Sequence, residues 1–191
     1  MDEPSELVVD LGDDIEIQLG EDPFNIEAIV NVGIDSASLQ FWEWTQGSYF
    51  TTDSTRLEGE REIDPLETTL YEFYVIDTFG CVGIDQMLVS VRKDRQVFIP
   101  NAFSPNGDGN NDIFYIQSGI ELERVKTFKI FNRWGEVVYE LSNFYANDPN
   151  NGWDGMFKGE ALNQAVFVFW AELEFKDGWT EIVKGDVTLL K

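Results

Sequence analysis

Residues 69–77 read TLYEFYVID. On an extended chain Tyr71, Phe73 and Val75 face one way and Glu72, Tyr74 and Ile76 the other, because successive strand residues alternate sides. Working outward, similar short runs recur at DIEIQL (14–19), IEAIVNV (26–32), SLQFWEW (38–44) and DQMLVSVR (85–92). Turns are supplied by GEDP (20–23) and by FGCVG (79–83), where glycine takes the positive φ that other residues resist. Beyond residue 95 the style repeats in QVFIP (96–100), DIFYIQ (112–117), VKTFKIFNRW (125–134), EVVYEL (136–141), AVFVFWAELEF (165–175) and TEIVKGDVTLLK (180–191). RWGE (133–136) and DGW (177–179) read as tight hairpins. Helical periodicity is nearly absent. These signals predict an all-β protein of two antiparallel β-sandwiches in tandem, residues 1–95 and 96–191, abutting at the basic stretch RKDRQ (92–96). A long loop at 142–164 is expected to be functional or tied down by its own side chains.

Composition restricts what such a chain does. Apolar residues make up 43% of the 191, enough for packed cores, and the formal charge is −23. That charge excludes nucleic acid and anionic lipid surfaces as partners, since phosphates are repelled at every approach. The acidity is concentrated in the first half: residues 1–95 carry 22 Asp and Glu against five Lys and Arg, and residues 96–191 carry 14 against eight. With no histidine and one cysteine, Cys81, the chain has neither a Ser-His-Asp or Cys-His constellation, nor an internal disulfide, nor a CxxC metal site. The catalytic expectation is none. A two-carboxylate glycosidase is the enzymatic rival, but no acidic pair stands in a cleft-forming apolar context. No apolar run approaches the roughly 20 residues of a membrane-spanning helix.

Residues 100–112 read PNAFSPNGDGNND, far more turn chemistry than one turn requires. Asn106, Asp108, Asn110 and Asp112 recur at every second position, the spacing of oxygen ligands at the start of a calcium loop. Two departures count against Ca²⁺: Asn111 stands where such loops place glycine, and Gln117 where they place a bidentate Glu. The other reading is a rigid loop in which side-chain oxygens accept backbone N–H groups. Both readings predict an ordered loop.

With IPNAFSPNGDGNND (99–112), FKIFNRWGEVVYE (128–140), WDG (153–155) and KGDVTLLK (184–191) in this order, the second half resembles the gliding motility-associated C-terminal domain. That family is the type B C-terminal signal of the Bacteroidota type IX secretion system. The first half, through LGDDIEIQLGE (11–21), its WEW strand and YEFYVIDTFGCVGIDQMLVSV (71–91), resembles the Ig-like or PKD-like modules that precede such signals in large surface adhesins. The resemblance implies Ig-like folds and the C-terminal portion of a protein secreted to the cell surface, on the outer face of the outer membrane. It also implies two partners, the type IX translocon and a PorP-type outer-membrane protein. The module's usual cysteine partner is missing here, so no disulfide carries over to Cys81.

A folded signal must present a surface, and the irregular rim is the candidate: Asn106, Gly107, Asp108 and Gly109; Arg133, Trp134 and Gly135; Trp153, Asp154 and Gly155. Arginine and tryptophan are the residue types that dominate interface energetics. The competing expectation buries Trp134 and Trp153 in the core and pairs Arg133 with a carboxylate such as Asp154. The alternative function is a carbohydrate- or surface-binding module, for which Trp42 and Trp44 would have to be exposed. Set two apart, one of them is expected in the core and the other over its edge.

Overall fold

The computed structural model describes residues 7–30, 39–46, 49–50 and 60–190. The last two residues of IEAIVNV, Ser38 of SLQFWEW and the terminal Lys191 lie outside the described residues. The protein is all-β and divides into two units, Met1–Arg92 and Lys93–Lys191. The division precedes the 95/96 boundary expected from composition, because Lys93, Asp94 and Arg95 are bonded into the second unit.

Unit 1 contains β1 (Val9–Asp10), β2 (Ile15–Gln18), β3 (Phe24–Glu27), β4 (Ile29–Val30), β5 (Leu39–Gln46), β6 (Tyr49–Phe50), β7 (Glu60–Ile63), β8 (Thr69–Asp77) and β9 (Val82–Arg92). Five of these form one sheet in the order β2-β9-β8-β5-β6; β1 pairs with β4, and β3 with β7. The alternation in β8 is realised, with Tyr71, Phe73 and Val75 all buried. They share a core with Met87 and Val89 of the same sheet and with Leu7, Val9, Leu11, Ile26, Ala28 and Ile63 from the facing layer. Trp42 and Trp44 lie opposite Val75 and Phe73 on β8 and are both half-buried against this core. The expectation that one of them covers an edge does not hold. Their spacing of two sends both to one face, and β5 is an interior strand whose inner face is the core.

Unit 2 contains β10 (Val97–Phe98), β11 (Ala102–Phe103), β12 (Gln117–Ser118), β13 (Leu122–Phe131), β14 (Val137–Phe144), β15 (Met156–Phe157), β16 (Glu160–Ala161), β17 (Ala165–Phe175) and β18 (Thr180–Leu189). Its main sheet runs β11-β18-β17-β13-β14, faced by the ribbons β10–β12 and β15–β16 and by irregular chain. The core is aromatic: Phe114 lies 5.7 Å, ring centre to ring centre, from both Phe128 and Phe169. The only helical element among the described residues is one 3-10 turn, Pro149–Asn151, capped by Asp148.

Two details depart from a purely antiparallel pair of sandwiches. Each main sheet has one parallel edge pair, β2 with β9 and β11 with β18. Parallel neighbours require a long crossover, and here the body of each unit supplies it. The segment DIFYIQ is also not a continuous strand. Only its last residue, Gln117, enters a ladder, in β12; Phe114 and Ile116 alternate into the core with a single bridge, Phe114 with Trp153. Their neighbour is a loop, so period-two burial occurs there without a ladder.

Candidate functional site

In the loop after β11 the side chains bond to their own backbone. Asn106 Oδ1 accepts the Asp108 amide at 2.9 Å, and Asp108 Oδ1 accepts the Asn110 amide at 2.7 Å. The two oxygens of Asp112 accept the amides of Gly107 and Gly109, each at 2.8 Å. Gly107, Gly109 and Asn111 take positive φ, which glycine adopts freely and asparagine tolerates. The bonds from the Asn110 amide and the Asn106 side chain hold the Asp108 carboxyl below its usual pKa. The loop thus has the geometry of consecutive Asx turns. For Ca²⁺, which takes six to eight oxygen ligands, the set fits poorly: oxygens of Asn106, Asp108 and Asp112 are engaged by amides, and only two carboxylates are present. Among the described residues, no group of three or more acidic, histidine or cysteine side chains is placed to share a metal.

The WDG segment lies against the base of this loop. Trp153 is 1% exposed, with its ring centre 5.3 Å from Phe103 and 4.9 Å from Phe167, and its Nε1 donates to the Met156 carbonyl. Burial removes its side chain from any contact surface, so of the rim residues named from sequence Trp153 belongs to the core. Asp154 is exposed, and its Oδ1 accepts the Met156 amide at 2.9 Å. Gly155 is buried at φ 79°, where a Cβ would sit 3.1 Å from Leu189 and 3.2 Å from Pro105. The segment packs the loop's base onto the last strand.

The hairpin between β13 and β14 behaves differently. Asn132 organises it: Oδ1 accepts the amides of Trp134 and Glu136, both at 3.0 Å, and Nδ2 donates to the Glu136 carboxylate. Gly135 completes the turn at φ 81° with open space around it. Trp134 is therefore projected outward from a rigid turn, 77% exposed, with the Arg133 guanidinium 4.5 Å from its ring centre. The expected core placement holds for Trp153 and fails for Trp134. Arg133 does not pair with Asp154. Beside the hairpin is an open groove of about 440 Å³, lined by Trp134, Val138, Phe157, Leu162, Val166 and Phe167 among others.

Two residues that sequence reasoning passed over anchor the start of unit 2. Glu121, 1% exposed, accepts the amides of Asp94 (2.9 Å) and Arg95. Asp177 takes a two-pronged bond from Arg95 (2.8 and 3.2 Å) and a 3.0 Å contact from Lys93. Arg95, Lys93 and the Trp179 amide hold the Asp177 carboxyl far below the usual carboxylate range. The available signal was the basic run RKDR beside a chain rich in acids.

Comparison with known proteins now bears on this unit. Residues 97–189 match the family model described as CHU_C Type IX secretion signal domain. Unit 2 belongs to that family. A curated relative, Poly [ADP-ribose] polymerase 2 of Zea mays, is 29% identical over 102 residues, covering 43% of this chain and 15% of the relative. Among solved structures, the chain is similar to a Bacteroides ovatus glucan-utilization protein, SGBP-B (13% identity, 93% of this chain and 43% of that one, TM-score 0.36). It is also similar to a 1.5-MDa bacterial ice-binding adhesin (13%, 96% and 63%, 0.36) and to latent PorU of Porphyromonas gingivalis (14%, 95% and 19%, 0.33). The chain thus spans less than two thirds of each of these proteins. No helix among the described residues is long and apolar enough to cross a membrane.

Proposed function

We propose that the chain is part of a secreted, adhesin-type cell-surface protein whose signal domain is read in its folded state during export. The reader is the type IX translocon, acting with a PorP-type outer-membrane protein, and delivery is to the outer face of the outer membrane. Unit 1 is then an Ig-like or PKD-like module of the cargo. The family match over residues 97–189 carries this reading. The geometry supports it in a specific way: the exposed rim residues sit on turns fixed by their own hydrogen bonds, so little ordering cost accompanies recognition. Recognition is assigned to Asn106–Gly109, Arg133–Gly135 and Asp154, with Trp153 and Gly155 acting through the packing beneath them.

The test is export of a fluorescent cargo fused to residues 93–191 in a gliding bacterium. Cargo on the surface or in the medium is expected with an intact translocon and absent when the translocon is deleted. Equal export from both strains would overturn the reading.

A further inference from the structure

Six basic residues of the signal domain have a carboxylate partner: Lys93 and Arg95 on Asp177, Arg124 on Glu174, Lys126 on Glu172, Lys129 on Glu140, and Lys158 on Glu136. In a chain with 36 acids and 13 bases this is expected. Arg133 and Lys184 have none among the described residues, although both are exposed. Their positions are related. On the outer face of the main sheet, Trp170 of β17 lies between Lys184 of β18 and Lys129 of β13, and two residues along, Val168 lies beside Phe131. Val168 and Val166 are 51% and 55% exposed, and Val166 also lines the groove that contains Trp134 and Arg133. An apolar strip therefore runs from Trp134 through Val166, Val168 and Phe131 to Trp170, with an unpaired cation at each end. Asp186, opposite Val168, flanks the middle of the strip. Such a strip on a solvated face needs a reason, since the outer sides of antiparallel strands usually carry polar residues.

We propose that this strip is a docking surface for an acidic amphipathic segment of a partner protein. It rests on the reading of unit 2 as a recognition domain and adds the chemistry of what is recognised. The strip selects its occupant by charge complementarity. A two-fold pair of copies meeting on this strip would set Arg133 of one against Lys184 of the other, cation on cation, whereas an apolar stripe flanked by carboxylates satisfies both cations locally and covers the valines between them. From Val166 to Trp170 the strip rises about 14 Å, which accommodates roughly nine residues of helix. Carboxylates at the ends of the occupant's stripe meet the cations and avoid Asp186.

The test is selection of binders from a displayed library of random 12-residue peptides on the full 191-residue chain, followed by Kd measurement with the resynthesised peptides. Peptides carrying Asp or Glu on either side of an apolar stripe are expected. Their affinity should fall at least tenfold on the double variant Arg133→Glu/Lys184→Glu and on Val168→Asp. If a charge-reversed or Val168 variant melts early, Arg133→Gln and Lys184→Gln replace it, with a smaller loss expected in the same direction. A basic or uncharged consensus, no selected peptide, or undiminished binding to folded variants would overturn the proposal. So would a wild-type dimer in sedimentation that Val168→Asp abolishes, since the face would then belong to a second copy. Export of the fused cargo is scored separately: failure of the wild-type fusion counts against the signal reading alone, whereas full export by variants that have lost peptide binding counts against this surface and against Arg133 as a recognition residue, and leaves the signal reading standing.

Discussion

Trp134 and Trp153 belong to one domain and have opposite exposures, 77% and 1%, so they separate recognition from folding. Trp134→Ala removes a ring that is mostly in solvent at the groove's edge, stacked with its neighbour's guanidinium, and its stability cost should stay below about 0.5 kcal/mol. Trp153→Ala empties a site between Phe103 and Phe167 and should cost roughly 3 to 5 kcal/mol. Melting curves of the two variants, read beside export of a fused cargo, check this. Both should lower export, Trp134→Ala with the melting temperature intact; normal export by Trp134→Ala would remove the hairpin from the recognition surface. The two tryptophans were not distinguishable in the sequence, since each stands beside a charged residue and close to a glycine. Their difference arises from the bridge between Phe114 and Trp153, a contact across 39 positions of chain. Gly152 was equally silent. It reads as a loop glycine, yet a Cβ there would come within 2.8 Å of the Phe114 carbonyl oxygen.

At the scale of the element, the loop at 106–112 and the Lys93–Arg95 segment yield opposite expectations. The loop's oxygens are engaged by its own amides, so adding a chelator should leave the melting temperature unchanged. A clear drop on chelation would mean that a bound cation stabilises the native state and would restore the calcium reading. The segment is held by an ion pair in which the Asp177 side chain is only 5% exposed. Asp177→Asn should cost roughly 2 kcal/mol at neutral pH, the scale of hydrogen bonds to a charged group. The folded carboxyl titrates well below its ordinary value near 3.9. Its stabilisation is therefore fully present above about pH 4 to 5 and is lost as pH falls through and below that value. Thermal melts from pH 7 down to pH 3 should show the gap between wild type and variant narrowing only at the acid end. A gap constant over that range would mean that the charge of Asp177 is not what matters. The alternating Asn and Asp of the loop announced its Asx turns, because each such bond spans only two to five residues. The ion pair spans 82 positions between Arg95 and Asp177, and no local pattern could announce it.

For the whole molecule, the position of the domain start has a measurable consequence. A fragment beginning at residue 96 strips the buried Asp177 of both its cations, Lys93 and Arg95, and Glu121 of the Asp94 and Arg95 amides. It should be less stable than residues 93–191 by about 3 kcal/mol, the usual cost of stripping one side from a buried charge pair. Denaturant titration of the two fragments tests this, and equal midpoints would count against the anchoring role. The sequence by itself determined the all-β class, most strand positions, the Asx loop, the absence of any His- or Cys-based catalytic constellation and the family resemblance of the second half. Each of these depends on residue chemistry or on patterns a few residues long: alternation at period two, turn residues, missing histidine, four motifs in order. Only the tertiary structure decided which tryptophan is buried, that each sheet closes with a parallel edge pair, that the first unit ends at Arg92, and that Arg133 and Lys184 flank one apolar strip. These depend on which distant segments become neighbours. That is settled by the packing of two layers around an aromatic core, in which residues tens of positions apart compete for the same space and the same hydrogen bonds.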